Sequence, residues 1–203
     1  MLSDFIPEPD RPRVRELVHA PPSWALALQP TWEDFDHKSG LHGLWHTNRV
    51  MLHVLVLGRA GGLDERVILQ AFCAATIHDQ ARTHDGGCPH HGKRAVRTKL
   101  AAWLGRFAGA GLPLGDLPAV TDAVEHHCRA ELPREHRSYP ALALLKDADA
   151  LDRFRLGEPD LDVRMLRHDF TLRFVSFARE LVRCFPSPET LEEILRDLRD
   201  EMP

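Results

Sequence analysis

Residues 67–77, VILQAFCAATI, are apolar on nearly every side, and the chain passes straight from them to two ionisable residues, His78 and Asp79. A helix with no polar face has nothing to offer water and belongs in the middle of a packed bundle. Asp64, a few residues earlier, is a residue type that caps helix N-termini. The segment therefore predicts a central buried helix that delivers an imidazole and a carboxylate to the edge of the core. At such a position each group has to be paired or bound to a cation, or its lost hydration goes uncompensated.

The rest of the sequence reads as helical too. No run of alternating apolar and polar residues bounded by turn signals makes a convincing strand, so the expected fold is all-α. At 203 residues, the chain fits one domain with a sizeable core. Six prolines (Pro7, Pro9, Pro12, Pro21, Pro22 and Pro30) make residues 1–30 an irregular lead-in with at most short helices, part of the same domain as the helical body 31–203.

A first long helix is expected over about 41–57, where His42, His46, Arg49 and His53 share a face. A second follows Asp64, and a third covers about 93–107, ahead of the Gly/Pro-rich loop 109–118. A fourth ends in AVTDAVEHHC and a fifth contains ALALLKDADALDRF. Support helices occupy 160–203: Phe170, Phe174, Phe177, Ala178 and Leu181 form one stripe. Ser187 and Pro188 read as N-cap and first residue of a last helix carrying Leu191, Ile194, Leu195 and Leu198.

Around His78 and Asp79 stand four further candidate metal ligands, His46, His91, His127 and Asp149. His46 sits among apolar neighbours on its helix. His127 is preferred to His126 because Val120, Ala123 and Val124 precede it by seven, four and three residues, and Asp149 follows Leu142 and Leu145 at the same spacing, with Asp152 one turn on. Asp147 points elsewhere and is expected to be solvated. Imidazole suits Zn, Fe, Co and Ni while carboxylate admits Mn and Mg, so one or two divalent ions are the expected cofactors. Residues 87–93, GCPHHGK, imitate a phosphate-binding loop, but Arg94 stands where the magnesium-binding Ser or Thr would be and no strand precedes it.

A net charge of −4 gives no global basic excess, which argues against a nucleic-acid polymer as partner. No stretch approaches the roughly 20 apolar residues of a membrane span. The N-terminus lacks a signal-peptide pattern, and four cysteines without a CxxC pair suit a reducing, cytoplasmic setting.

Taken in order, His46-x-x-Arg49-Val50, His78-Asp79-x-x-Arg82, His91-Gly92-x-x-Ala95, Ala123-Val124-x-x-His127 and Ala148-Asp149-Ala150-Leu151-Asp152 resemble the HD-domain superfamily of metal-dependent phosphohydrolases, over about residues 40–155. The segments LHGLWHTNRV, IHDQARTHDGG and DADALDRFRLG look like small stand-alone bacterial members. The resemblance implies a helical HD-domain fold with the metal site among its central helices. It implies His46, His78, Asp79 and Asp149 around a first metal, with His91 and His127 completing a second site, as in the binuclear branch of the superfamily. No Gly-Tyr-Pro follows His127, so cyclic-dinucleotide specificity does not carry over.

The expected activity is hydrolysis of a phosphoester, in a nucleotide or another small phosphorylated metabolite, by a metal-bound hydroxide. Asp79 is the candidate to orient the water. Arg49, Arg82, Lys93 and Arg94 are candidate phosphate-binding residues, and His42 or His84 candidate proton donors to the leaving group. Two other readings share these ligands: a di-iron oxygenase, since a similar set on this fold also resembles inositol oxygenase, and a non-catalytic nucleotide-binding module.

Overall fold

A computed structural model describes residues 1–129, 131–157 and 161–203, so residue 160, the first of the expected support segment, lies outside it. Among the described residues there are ten α-helices, several 3₁₀ turns and no strand. The all-α single-domain expectation holds.

The central pair is α3 (Leu44–Ala60) and α4 (Glu65–Ile77), buried along nearly their whole lengths. Asp64 caps α4 as expected, its carboxylate accepting from Arg66 N at 2.7 Å. Helices α7 (Leu117–His126) and α8 (Tyr139–Leu151) pack against α4 and each other, and α8 also packs on α3. The expected helix over 93–107 divides instead into α5 (His91–Thr98) and α6 (Leu100–Gly109). The division falls at Lys99, whose ammonium is held by the Asp34 carbonyl and the Asp36 carboxylate. Beyond it α6 buries Trp103 and Phe107, whose rings stack.

Two short helices, α1 (Arg11–His19) and α2 (Ser23–Ala27), occupy the proline-rich lead-in. It is short in its helices but not loose in its packing: Leu2, Ile6, Val14, Leu17, Val18, Ala25 and Leu28 all join the main core. At the other end, α9 (Val175–Cys184) buries Phe177, Ala178 and Leu181, and α10 (Leu191–Glu201) buries Leu191, Ile194, Leu195 and Leu198. The start of α10 differs from the expectation. Thr190, not Ser187, is the N-cap, its hydroxyl accepting from Glu193 N at 3.1 Å, while the Pro188 carbonyl accepts from the buried Asn48 side chain. A tertiary hydrogen bond thus uses the backbone that the Ser-Pro pattern would have put into a helix. No helix among the described residues is long and apolar enough to cross a membrane.

His53 lies on α3, fully buried against Phe177, and neither ring nitrogen has a hydrogen-bond partner among the described residues. Burial pulls its pKa down from 6.5 to about 4; Asp152 works against that, and Arg49 and His46 with it. Between those two values the unfolded chain takes the proton and the folded chain does not, so stability rises with pH across this window. The span is worth on the order of 3 kcal/mol. Chemical denaturation of His53→Leu beside the natural chain is expected to show a shallower loss of stability from pH 6.5 down to 4; equal slopes would refute the assignment.

Candidate metal centre

Five helix ends meet at one place. His46 comes from the first turn of α3, His78 and Asp79 from just past α4, His91 from the start of α5, His127 from just past α7 and Asp149 from the last turn of α8. All six residues named by the sequence are brought together. His46 Nε2 lies 3.2 Å from His78 Nε2 and 3.3 Å from Asp149 Oδ1. His91 Nε2 lies 2.7 Å from His127 Nε2 and 2.9 Å from Asp79 Oδ1. Asp79 spans the two halves: its Oδ1 is 3.5 Å from His127 Nε2, and its Oδ2 is 3.7 Å from His46 Nε2 and 3.9 Å from His78 Nε2.

The outer ring nitrogens explain why the inner ones face one another. His78 Nδ1 donates to the Ala75 carbonyl and His127 Nδ1 to the Val124 carbonyl, both at 2.7 Å. His46 Nδ1 donates to Asp152 Oδ2, also at 2.7 Å. With Nδ1 turned outward to an acceptor, each ring presents Nε2 inward, the nitrogen left free to bind a cation. Lone pairs and carboxylates packed together out of water repel unless a cation lies among them. The donor set therefore fits a metal ion, and buried groups such as His46–His78–Asp149 and His78–Asp79–His127 could hold one.

Electrostatics agree. Burial pulls His78 down to about 3, which favours the neutral ring. Burial pushes Asp79 and Asp149 upward but is outweighed by the surrounding imidazoles, so both carboxyls stay well below their ordinary values. His91 is pushed up to about 10, since Asp79 and Cys128 outweigh its desolvation.

Gly92 lets the second half form. A Cβ there would stand 2.1 Å from the Val124 carbonyl oxygen and 3.1 Å from the His127 ring, so α5 approaches the end of α7 only without a side chain. Gly92→Ala is expected to cost about 1–3 kcal/mol by forcing the backbones apart, and to lower metal stoichiometry by separating His91 from His127. Natural stability and stoichiometry in that variant would count against this packing.

Other expected site residues are placed less uniformly. His42 and Arg82 line the cleft above the cluster, His42 Nδ1 lying 3.3 Å from Asp79 Oδ2 and 3.1 Å from an Arg155 nitrogen. Arg82 reaches the Gly86 carbonyl at 2.9 Å and Asp79 Oδ1 at 3.7 Å. Arg49 is not a phosphate clamp. It is buried, donating to both Asp152 oxygens at 2.6 and 3.2 Å and to the Phe185 and Pro186 carbonyls. Arg94 is turned to the Ala81 carbonyl, and exposed Lys93 lines a different hollow beside it. His84 is exposed and does not line the cleft. Asp147 points away from the cluster as expected but is fully buried rather than solvated. Its carboxylate accepts from Arg167 N, His168 N, His168 Nδ1 and Thr171 Oγ1, which pins the segment after residue 161 onto α8.

The cleft, about 800 Å³, is lined by cations that sequence spacing did not single out: Arg129, Lys146, Arg153, Arg155 and Arg167, with Arg82. Lys146 and Arg167 share Glu131, which offsets part of that charge. Asp152 and Cys128 also join the site beyond what the spacing indicates, although Asp152 lies one turn beyond Asp149 and Cys128 directly follows His127. Comparison with known protein families, curated proteins and solved structures finds no match.

Proposed function

We propose that this chain is a metal-dependent phosphohydrolase of the HD type, acting on a small phosphorylated metabolite. The observation that carries the reading is the convergence of four imidazole Nε2 atoms and two carboxylates at the base of a cleft walled by arginine and lysine, with Asp79, Asp149, His91 and His127 reaching its surface and His46 and His78 buried beneath. His46, His78, Asp79 and Asp149 would hold one ion; His91 and His127, sharing Asp79, would hold another. Such ions, when bound, lower the pKa of a coordinated water toward about 7 and supply a hydroxide nucleophile at neutral pH.

The residues of the chain do the rest. Arg82, Arg153 and Arg155 face the cleft as cations that draw in and orient phosphate oxygens, since guanidinium matches them in plane and charge. Asp152 holds the His46 ring so that Nε2 and not Nδ1 faces the cluster. The polar, cationic walls suit a phosphorylated ligand better than an apolar one. The test is elemental analysis of the purified protein followed by a phosphoester panel with Mn²⁺, Co²⁺, Fe²⁺ or Zn²⁺ supplied. Bound metal with phosphate release is the expected result. Absence of metal after reconstitution would overturn the reading, and bound iron with O₂ uptake but no phosphate release would replace it by the oxygenase one.

A further inference from the structure

The second half of the cluster has a sulfur beside it. Cys128 follows His127 just past the end of α7, and its Sγ, a ring nitrogen of His91 and one of His127 all lie within 4.8 Å of one another. The thiol lies 3.6 Å from the Pro89 carbonyl, in the loop that leads into α5, so it is packed between the two segments that carry those histidines. His91 and His127 are themselves buried, each with Nδ1 on a backbone carbonyl and Nε2 turned to the other. Of the other cysteines, Cys73 is in the core, Cys184 is exposed, and Cys88 lines the cleft without joining a ligand group among the described residues.

We infer that Cys128 is a metal ligand, completing a site of His91, His127 and Cys128 with Asp79 Oδ1 as fourth donor. Two imidazoles, a thiolate and a carboxylate are a tetrahedral set of the kind zinc takes. With metal–nitrogen bonds of about 2.0–2.1 Å and one metal–sulfur bond of about 2.3 Å, ligand atoms around a tetrahedral ion stand roughly 3.3–3.6 Å apart. The three groups are within side-chain adjustment of that spacing. Binding releases the thiol proton to solvent, and the thiolate favours Zn²⁺, Co²⁺ or Fe²⁺ over Mg²⁺ and Mn²⁺. The His46–His78–Asp149 half has only nitrogen and oxygen donors. The two halves therefore differ in the ion each prefers. This inference rests on the reading of the cluster as a metal centre, and is independent of the reaction performed there.

Titrating metal-stripped full-length protein with Co²⁺ tests it. A near-ultraviolet sulfur-to-cobalt charge-transfer band is expected in the natural chain and in Cys88→Ser, and not in Cys128→Ser, where the second equivalent of cobalt binds at least about tenfold more weakly. A second readout needs no variant: Zn²⁺ should slow iodoacetamide alkylation of Cys128 roughly tenfold or more, followed peptide by peptide, while exposed Cys184 reacts as before. Cobalt bound without the band, or a band that survives in Cys128→Ser, would overturn the sulfur ligand and leave the metal centre standing. Failure to bind cobalt at all would overturn both.

Discussion

An Asp79→Ala protein is expected to lose metal binding across the whole cluster, and with it the proposed phosphoester hydrolysis by a factor on the order of a thousand or more, about 4 kcal/mol of transition-state stabilisation. The size follows from where this one carboxylate sits. Its Oδ1 faces His91 and His127 while its Oδ2 faces His42, His46 and His78, so it touches both halves of the cluster. Asp149 reaches His46 and serves one half. Without Asp79, Asp149 is the one carboxylate left beside the four imidazoles, and no side chain joins the two halves. Asp149→Ala should accordingly lower stoichiometry by about one ion where Asp79→Ala removes both. Elemental analysis of the two variants decides: a full complement of metal in Asp79→Ala would end the claim that it bridges.

Asp152→Ala is expected to be the most destabilising single change near the site, at about 3–5 kcal/mol. Arg49 and Asp152 are both buried, and the guanidinium uses Nε and Nη2 on the carboxylate while Nη1 reaches the Phe185 and Pro186 carbonyls. Removing the carboxylate strands a buried cation with only dipoles for company. It also frees His46 Nδ1 from its 2.7 Å partner, so the ring is no longer held with Nε2 inward. Metal affinity should fall by about 10–100-fold, as when other outer-shell partners are lost. The double change Arg49→Met with Asp152→Leu separates the two effects. It should recover most of the stability by replacing the ion pair with apolar volume, yet leave metal affinity low. Denaturant melts with parallel metal titrations measure both, and affinity restored in the double variant would show that Asp152 acts only through the fold.

How much of the site was legible in advance depended on what each residue's neighbours in sequence could reveal. His127 over His126 and Asp149 over Asp147 follow from helical periodicity, because an inward-facing ligand shares its face with apolar residues three, four and seven positions back. The same periodicity placed His46 and Arg49 on one face, yet could not tell a cleft from a core. Arg49 went to Asp152, and the chain near Phe185 closed over it. Asp147 misled for a related reason: it leaves the seam of Asp149, but the segment after residue 161 folds back to supply four donors. Lys93, two residues after His91, is turned about 200° round α5 from it, while Arg94, three residues after, stays on the same side of the helix but is drawn to the Ala81 carbonyl.

The sequence by itself determined the helical class, the central buried helix with its Asp64 cap, and the six side chains that meet at the cluster, because periodicity and residue type act over one or two turns. Only the tertiary structure decided which cations wall the cleft, which carboxylate holds His46, and that Cys128 stands beside His91 and His127. Those relations join residues up to about a hundred positions apart, and are set by how helix ends converge once the core has packed.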